Sequence, residues 1–174
     1  MHTPILDFVV IGLPRSGTTW IANWLTTDRT FCMHDPFAQG LPDRWYRDQR
    51  KFGISCTLSF LLEGWLDQFR CPIAIIERDP QACDASLRAM GLTNNDHLRE
   101  SFRHQKGRVF SFEDLWEESK ARALWDYLLP AETFDALRYH QLVRMQVQPH
   151  PVHWTLDLSV MNELRQIGLL NSKR

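Results

Sequence analysis

The sequence predicts an α/β fold: one parallel sheet between layers of helices, formed as a single domain over residues 1–174. Three observations predict it. Short apolar runs without polar alternation recur along the chain, as in strands covered on both faces. Helical patterns separate these runs, which implies crossover connections. Arg15, Asp35, Arg78 and Phe112 each follow such a run. In a parallel sheet that is the carboxyl end of the strands, where ligands bind.

The elements follow in order. Ile5, Leu6 and Phe8 to Ile11 form the first apolar strand, closed by a turn at Pro14 to Gly17. A helix is predicted over 17–26, with Ile21, Trp24 and Leu25 turned inward. A strand over 30–34 ends at Asp35-Pro36. Residues 37–53 are mixed. They hold a turn at 40–43 and a basic cluster (Arg44, Arg47, Arg50, Lys51) that reads as a solvated face, with a segment over the site as the alternative. A helical pattern covers 58–69. The run Ile73-Ala74-Ile75-Ile76 predicts a strand over 72–77. Asp79-Pro80 opens a helix to about Met90, proline being tolerated in a first turn. Further elements are a helix over 96–105, a strand over 108–112 and helices over 113–128 and 132–147. A loop over 148–153 and a helix over 156–170 complete the pattern.

The chain has 174 residues, enough for one domain with a core. Its formal net charge of −1 gives no global attraction to nucleic acid or to an anionic membrane, so any anion site must be local. No run of about 18 apolar residues is present, so no membrane span is expected. The first strand is predicted almost at the start of the sequence, so no signal peptide is expected. Cys32, Cys56, Cys71 and Cys83 show neither a C-x-x-C pair nor ligand spacing. They read as core thiols in a reducing cytoplasm rather than a disulfide or metal set. Most of the seven tryptophans are expected in the core.

The stretch from Val9 to Trp20 carries the chemistry. Strand, glycine turn and helix form a phosphate cradle: free N–H groups at the helix start face the anion, and the helix dipole adds to them. Gly12, Gly17 and Thr19 fit the P-loop frame G-x-x-x-x-G-K-[ST], so the fold is read as P-loop-type. Thr18 stands where that frame has lysine. The lysine normally reaches the β- and γ-phosphates, so its replacement argues against ordinary ATP or GTP chemistry. Arg15 supplies a cation inside the turn instead.

The residues Pro14-Arg15-Ser16-Gly17-Thr18-Thr19-Trp20 resemble the 5′-phosphosulfate loop of sulfotransferases, P-[KR]-S-G-T-T-W. Those enzymes use 3′-phosphoadenosine 5′-phosphosulfate (PAPS) as sulfuryl donor. The resemblance implies that Arg15 and the loop through Ser16, Gly17, Thr18 and Thr19 hold the 5′ side of PAPS, and that Trp20 stacks on adenine. Arg78-Asp79-Pro80 followed by Ser86 resembles the family's R-[ND]-P…S pattern, which implies a 3′-phosphate site at Arg78 and Ser86. Arginine suits that role through its planar fork of donors and invariant charge. Phe112-Glu113-Asp114-Leu115 resembles the family's Y-E-D-[LM] segment, with Phe112 keeping the aromatic face toward adenosine. Glu113 and Asp114 also suit a helix start on dipole grounds alone.

Sulfuryl transfer also needs a base. Asp35 is the first candidate and His34 the second, both at the end of a strand, with Arg15 stabilising charge on the leaving phosphate oxygen. Asp35 also suits a turn before Pro36. The resemblance implies a small-molecule or carbohydrate acceptor carrying a hydroxyl or amine, and no metal. It covers about residues 5–20 and 72–115 with motifs. The C-terminal R-K-G segment of cytosolic members is not found; Lys173-Arg174 is at best a remnant. Two other readings remain open: a catalytically inactive binding or structural subunit, and a nucleotide or small-molecule kinase with Thr19 on Mg²⁺.

Overall fold

A computed structural model of the chain describes residues 5–36, 49–57, 66–91 and 106–145. Five parallel strands pair into one sheet: β1 (Phe8–Gly12), β2 (Thr30–His34), β3 (Lys51–Cys56), β4 (Ile73–Glu77) and β5 (Arg108–Ser111). Their order is β2-β3-β1-β4-β5. Four α-helices flank it among the described residues: α1 (Thr18–Leu25), α2 (Pro80–Arg88), α3 (Glu118–Leu128) and α4 (Ala136–Arg144). The class is therefore the α/β fold that the sequence predicts.

β1 is buried at all five positions because it lies between β3 and β4. Its alternate residues serve two cores. Phe8 and Val10 face a cluster with Trp24, Leu25, Leu124 and Trp125 of α1 and α3, while Val9 and Ile11 face Met33, Ile54, Leu66 and Ile75. This is why the run is apolar without alternation. Trp24 is the hub of the first core, within 5.3–6.1 Å (ring centroids) of Trp20, Trp125, Phe134 and Tyr139.

The connection from β1 leads toward β2 on one side, and that from β4 leads to β5 on the other. The crevice where the two directions part lies at the carboxyl ends of β1 and β4. Arg15 and Arg78 follow those two strands.

The structure corrects several expectations. The sequence pattern ends a mixed segment at 53 and assigns no element to 54–56, but residues 51–56 form the inner strand β3. Gly53 and Ser55 weaken its local strand signal, but both have tertiary reasons. Gly53 pairs with Phe8, whose ring lies across it; a Cβ at Gly53 would meet that ring at 2.2 Å. Of the basic cluster, Arg44 and Arg47 lie outside the described residues, and the other two have partners. Lys51 Nζ lies 2.8 Å from Glu132 Oε1, and Arg50 Nη1 donates to Thr27 O (2.9 Å).

The helix expected over 113–128 is two elements, a 3-10 turn at Glu113–Trp116 and then α3. Glu117 between them is extended (φ −107°, ψ 116°), which buries Leu115 and lays Trp116 edge-on against Trp20 and Phe112. The helix expected from 132 starts at Ala136, because Asp135 caps it by accepting from Arg138 N–H (2.9 Å). Of the 58–69 pattern, the described part forms a 3-10 turn at Leu66–Gln68. The elements expected at 40–43, 96–105 and 148–170 lie outside the described residues. No described helix is long and apolar enough to cross a membrane.

Gly53→Ala tests the register of the missed strand. Phe8 is fully buried and has no room to yield. We expect a loss of roughly 1–3 kcal/mol by overpacking, seen as a lower urea midpoint with an unchanged m-value. An unchanged midpoint would contradict the Phe8–Gly53 pairing.

Candidate functional site

The turn after β1 is built by backbone conformation. Arg15 (φ +76°) and Gly17 (φ +84°) are both left-handed. Ser16 is buried, and its N–H and Oγ–H both donate to Leu13 O (3.0 and 2.7 Å), which closes the turn. Gly12 must lack a side chain, since a Cβ there would meet Ser16 Oγ at 2.2 Å. Gly17 is restricted twice over: its φ is positive, and a Cβ would press on Phe112 at 3.1 Å. The start of α1 has no side-chain cap, so its first N–H groups face the crevice without that partner.

One side of the turn holds the arginines. Arg15 Nε–H donates to Ser86 Oγ (2.8 Å) on α2. Arg78 Nη1–H donates to the carbonyl oxygen of Arg15, bracing the left-handed residue. The Arg78 guanidinium lies over the Phe112 ring, 4.2 Å from its centroid. Asp79 is turned away and caps α2 by accepting from Gln81 N–H. Among the described residues neither Arg15 nor Arg78 forms an ion pair with a carboxylate. Burial first, and then the like charge of Arg78, hold the Arg15 guanidinium below its ordinary pKa. Two cations are thus held together without a carboxylate partner among the described residues.

The other side holds the acid–base candidates. His34 ends β2, and its Nε2 lies 3.3 Å from Thr18 Oγ1, 3.1 Å from Thr19 Oγ1 and 3.3 Å from Asp35 Oδ2. Asp35 has φ +40°, uncommon outside glycine. Its Oδ1 accepts from Thr57 N–H (2.6 Å) and Thr57 Oγ–H (3.0 Å). Ser55 Oγ–H donates to Thr18 O (2.8 Å), tying β3 to the start of α1.

The structure therefore brings Arg15, Ser86, Arg78 and Phe112 together on one flank and Thr18, Thr19, His34 and Asp35 on the other. Ser16 faces inward and supports the turn. Trp20 is only 8% exposed, stacked on Trp24 with Trp116 and Tyr139 edge-on, and its buried Nε1–H has no acceptor among the described residues. Trp116 beside it is 44% exposed and offers the open aromatic surface.

Sequence reasoning did not find Ser55, Thr57 or Trp116. The first two went with the missed strand, and no local pattern marks them. A helix register for 113–128 gave no reason to turn Trp116 toward the site. No group of three or more His, Cys, Asp or Glu suited to a metal occurs among the described residues. No disulfide links the four cysteines; burial pushes the Cys71 thiol up to about 11 and Cys32 higher still.

A solved structure of mouse sulfotransferase SULT7A1 complexed with PAP shares the architecture, with a TM-score of 0.53 and 14% sequence identity. The match covers 80% of this chain and 64% of the mouse chain. The fold is sulfotransferase-like. No protein-family model matches the sequence, and no curated protein matches it.

Proposed function

We propose that this protein is a sulfotransferase that moves a sulfuryl group from PAPS to a hydroxyl or amine of a small molecule or carbohydrate. One observation carries the reading: Arg15 and Arg78 meet past the ends of the adjacent strands β1 and β4, joined through the Arg15 carbonyl, with Ser86 on Arg15 and no carboxylate partner among the described residues. Two half-buried cations held together call for a multiply charged anion. The motif resemblance, together with the fold shared with the mouse enzyme, favours PAPS over other phosphate esters. Thr18 in place of the lysine weighs against a kinase.

When bound, PAPS supplies the sulfuryl group: its sulfur bonds to the acceptor atom as the bond to the 5′-phosphate oxygen breaks, and the electron pair stays on that oxygen. Arg15 and the N–H groups at the start of α1 stabilise the negative charge left there. Arg78, Ser86 and Phe112 would hold the 3′-phosphate and adenosine side. Asp35 Oδ2, beside His34 Nε2, receives the acceptor proton. The four thiols support a reducing, cytoplasmic setting.

The test is calorimetric titration with 3′-phosphoadenosine 5′-phosphate (PAP) without Mg²⁺, beside 5′-AMP and ATP. We expect micromolar binding that depends on the 3′-phosphate. No binding, or a preference for ATP that requires Mg²⁺, would overturn the reading.

A further inference from the structure

One polar contact in the site belongs to a residue outside the motifs. Thr57 directly follows β3 and is 8% exposed. It gives both of its donors, N–H and Oγ–H, to one oxygen, Asp35 Oδ1, at 2.6 and 3.0 Å. The other oxygen, Oδ2, is left 3.3 Å from His34 Nε2. Asp35 N–H donates to Ser55 O (2.9 Å), so the residue is tied to β3 at backbone and side chain alike.

This pattern has a chemical consequence. A carboxylate beside an imidazole rotates about its side-chain bonds unless something fixes it. Two donors from one buried residue fix which oxygen points away. The N–H bond alone would suffice to join two strand ends, and any residue at 57 would supply it. The hydroxyl is the additional element, and it removes the remaining rotational freedom.

We propose that Thr57 is a positioning residue for proton transfer, holding Asp35 Oδ1 so that Oδ2 faces His34 Nε2 and the crevice. The proton-transfer role rests on the sulfotransferase reading above; the geometric role of Thr57 does not.

The experiment compares Thr57→Val, which removes the hydroxyl at nearly constant shape, with Thr57→Ser, which keeps it. Thr57→Ala gives a second deletion should valine fold poorly. The first readout is the imidazole ¹⁵N and ¹H resonances of His34 in ligand-free protein. They are expected to shift in the valine and alanine variants and to stay near wild type in the serine variant. The second readout is PAPS hydrolysis to PAP and sulfate without added acceptor, in which water takes the sulfuryl group and gives up its proton. It is expected to fall about ten- to a hundredfold in Thr57→Val, as for a misplaced catalytic group, with PAP affinity within twofold of wild type. In an Asp35→Asn background the same substitution is expected to add little, because the two act on one unit.

Unchanged His34 resonances in Thr57→Val would overturn the proposal. So would parallel losses of PAP affinity and thermal stability, which mark a merely structural tie. Failure of the wild type to bind PAP would sink the sulfotransferase reading separately, while the resonances would still decide whether Thr57 orients the His34–Asp35 pair.

Discussion

Asp35→Asn is expected to lower PAPS turnover by about a hundred- to ten-thousandfold, the range for loss of a positioned general base. The substitution keeps the shape of the side chain. Asn Oδ1 can still accept both donors of Thr57, so the link between β2 and β3 is retained. What is lost is a proton-accepting oxygen beside His34 Nε2. PAP binding should be unchanged, since Asp35 lies on the opposite flank from Arg78 and Ser86. His34→Asn is the companion variant. If His34 rather than Asp35 takes the proton, His34→Asn will cause the larger loss. Turnover within tenfold of wild type in both variants would remove the pair from the mechanism.

The second large effect is expected at Arg78. Arg78→Ala should weaken PAP binding about ten- to a hundredfold, since a hydrogen bond to a charged group is worth about 1.5–3 kcal/mol and a tenfold change in affinity is about 1.4 kcal/mol. Two losses combine. One is the cation itself. The other is the bond to the Arg15 carbonyl, which braces a left-handed non-glycine residue in the turn. Arg78→Lys should recover little, because an ammonium lacks the planar fork that stacks on Phe112 while donating to the turn. Binding of 5′-AMP should change less, so the preference for the 3′-phosphate should shrink. Calorimetry decides it, and unchanged PAP affinity in Arg78→Ala would contradict the placement of the 3′-phosphate at Arg78.

Much of this site is legible in sequence because its signals are local. The turn from Gly12 to Thr19 declares itself through glycines, a cation and a hydroxyl within eight consecutive positions. Arg78 and Phe112 are visible as the residues just past apolar runs. Other features leave no such trace. The strand at 51–56 has a glycine and a serine where a strand former is expected. The glycine answers to Phe8, 45 positions earlier in the register, and the serine to the carbonyl of Thr18. Trp20 sits in a motif that resembles a base-stacking loop, yet it is packed among Trp24, Trp116 and Tyr139. That surrounding depends on the break at Glu117, which helical periodicity does not reveal.

The sequence by itself determined the fold class, four of the five strands, the turn that faces the crevice and the residues at its strand ends. It could do so because apolar runs, turn residues and helix starts act over a few neighbours along the chain. The tertiary structure alone decided the order β2-β3-β1-β4-β5, and with it which distant groups meet. Arg15 reaches Ser86 across 71 positions, and Thr57 reaches Asp35 across 22. Such pairs form because parallel pairing brings the carboxyl ends of separate strands to one edge of the sheet. Local pattern carries no information about that edge until the strand order is known.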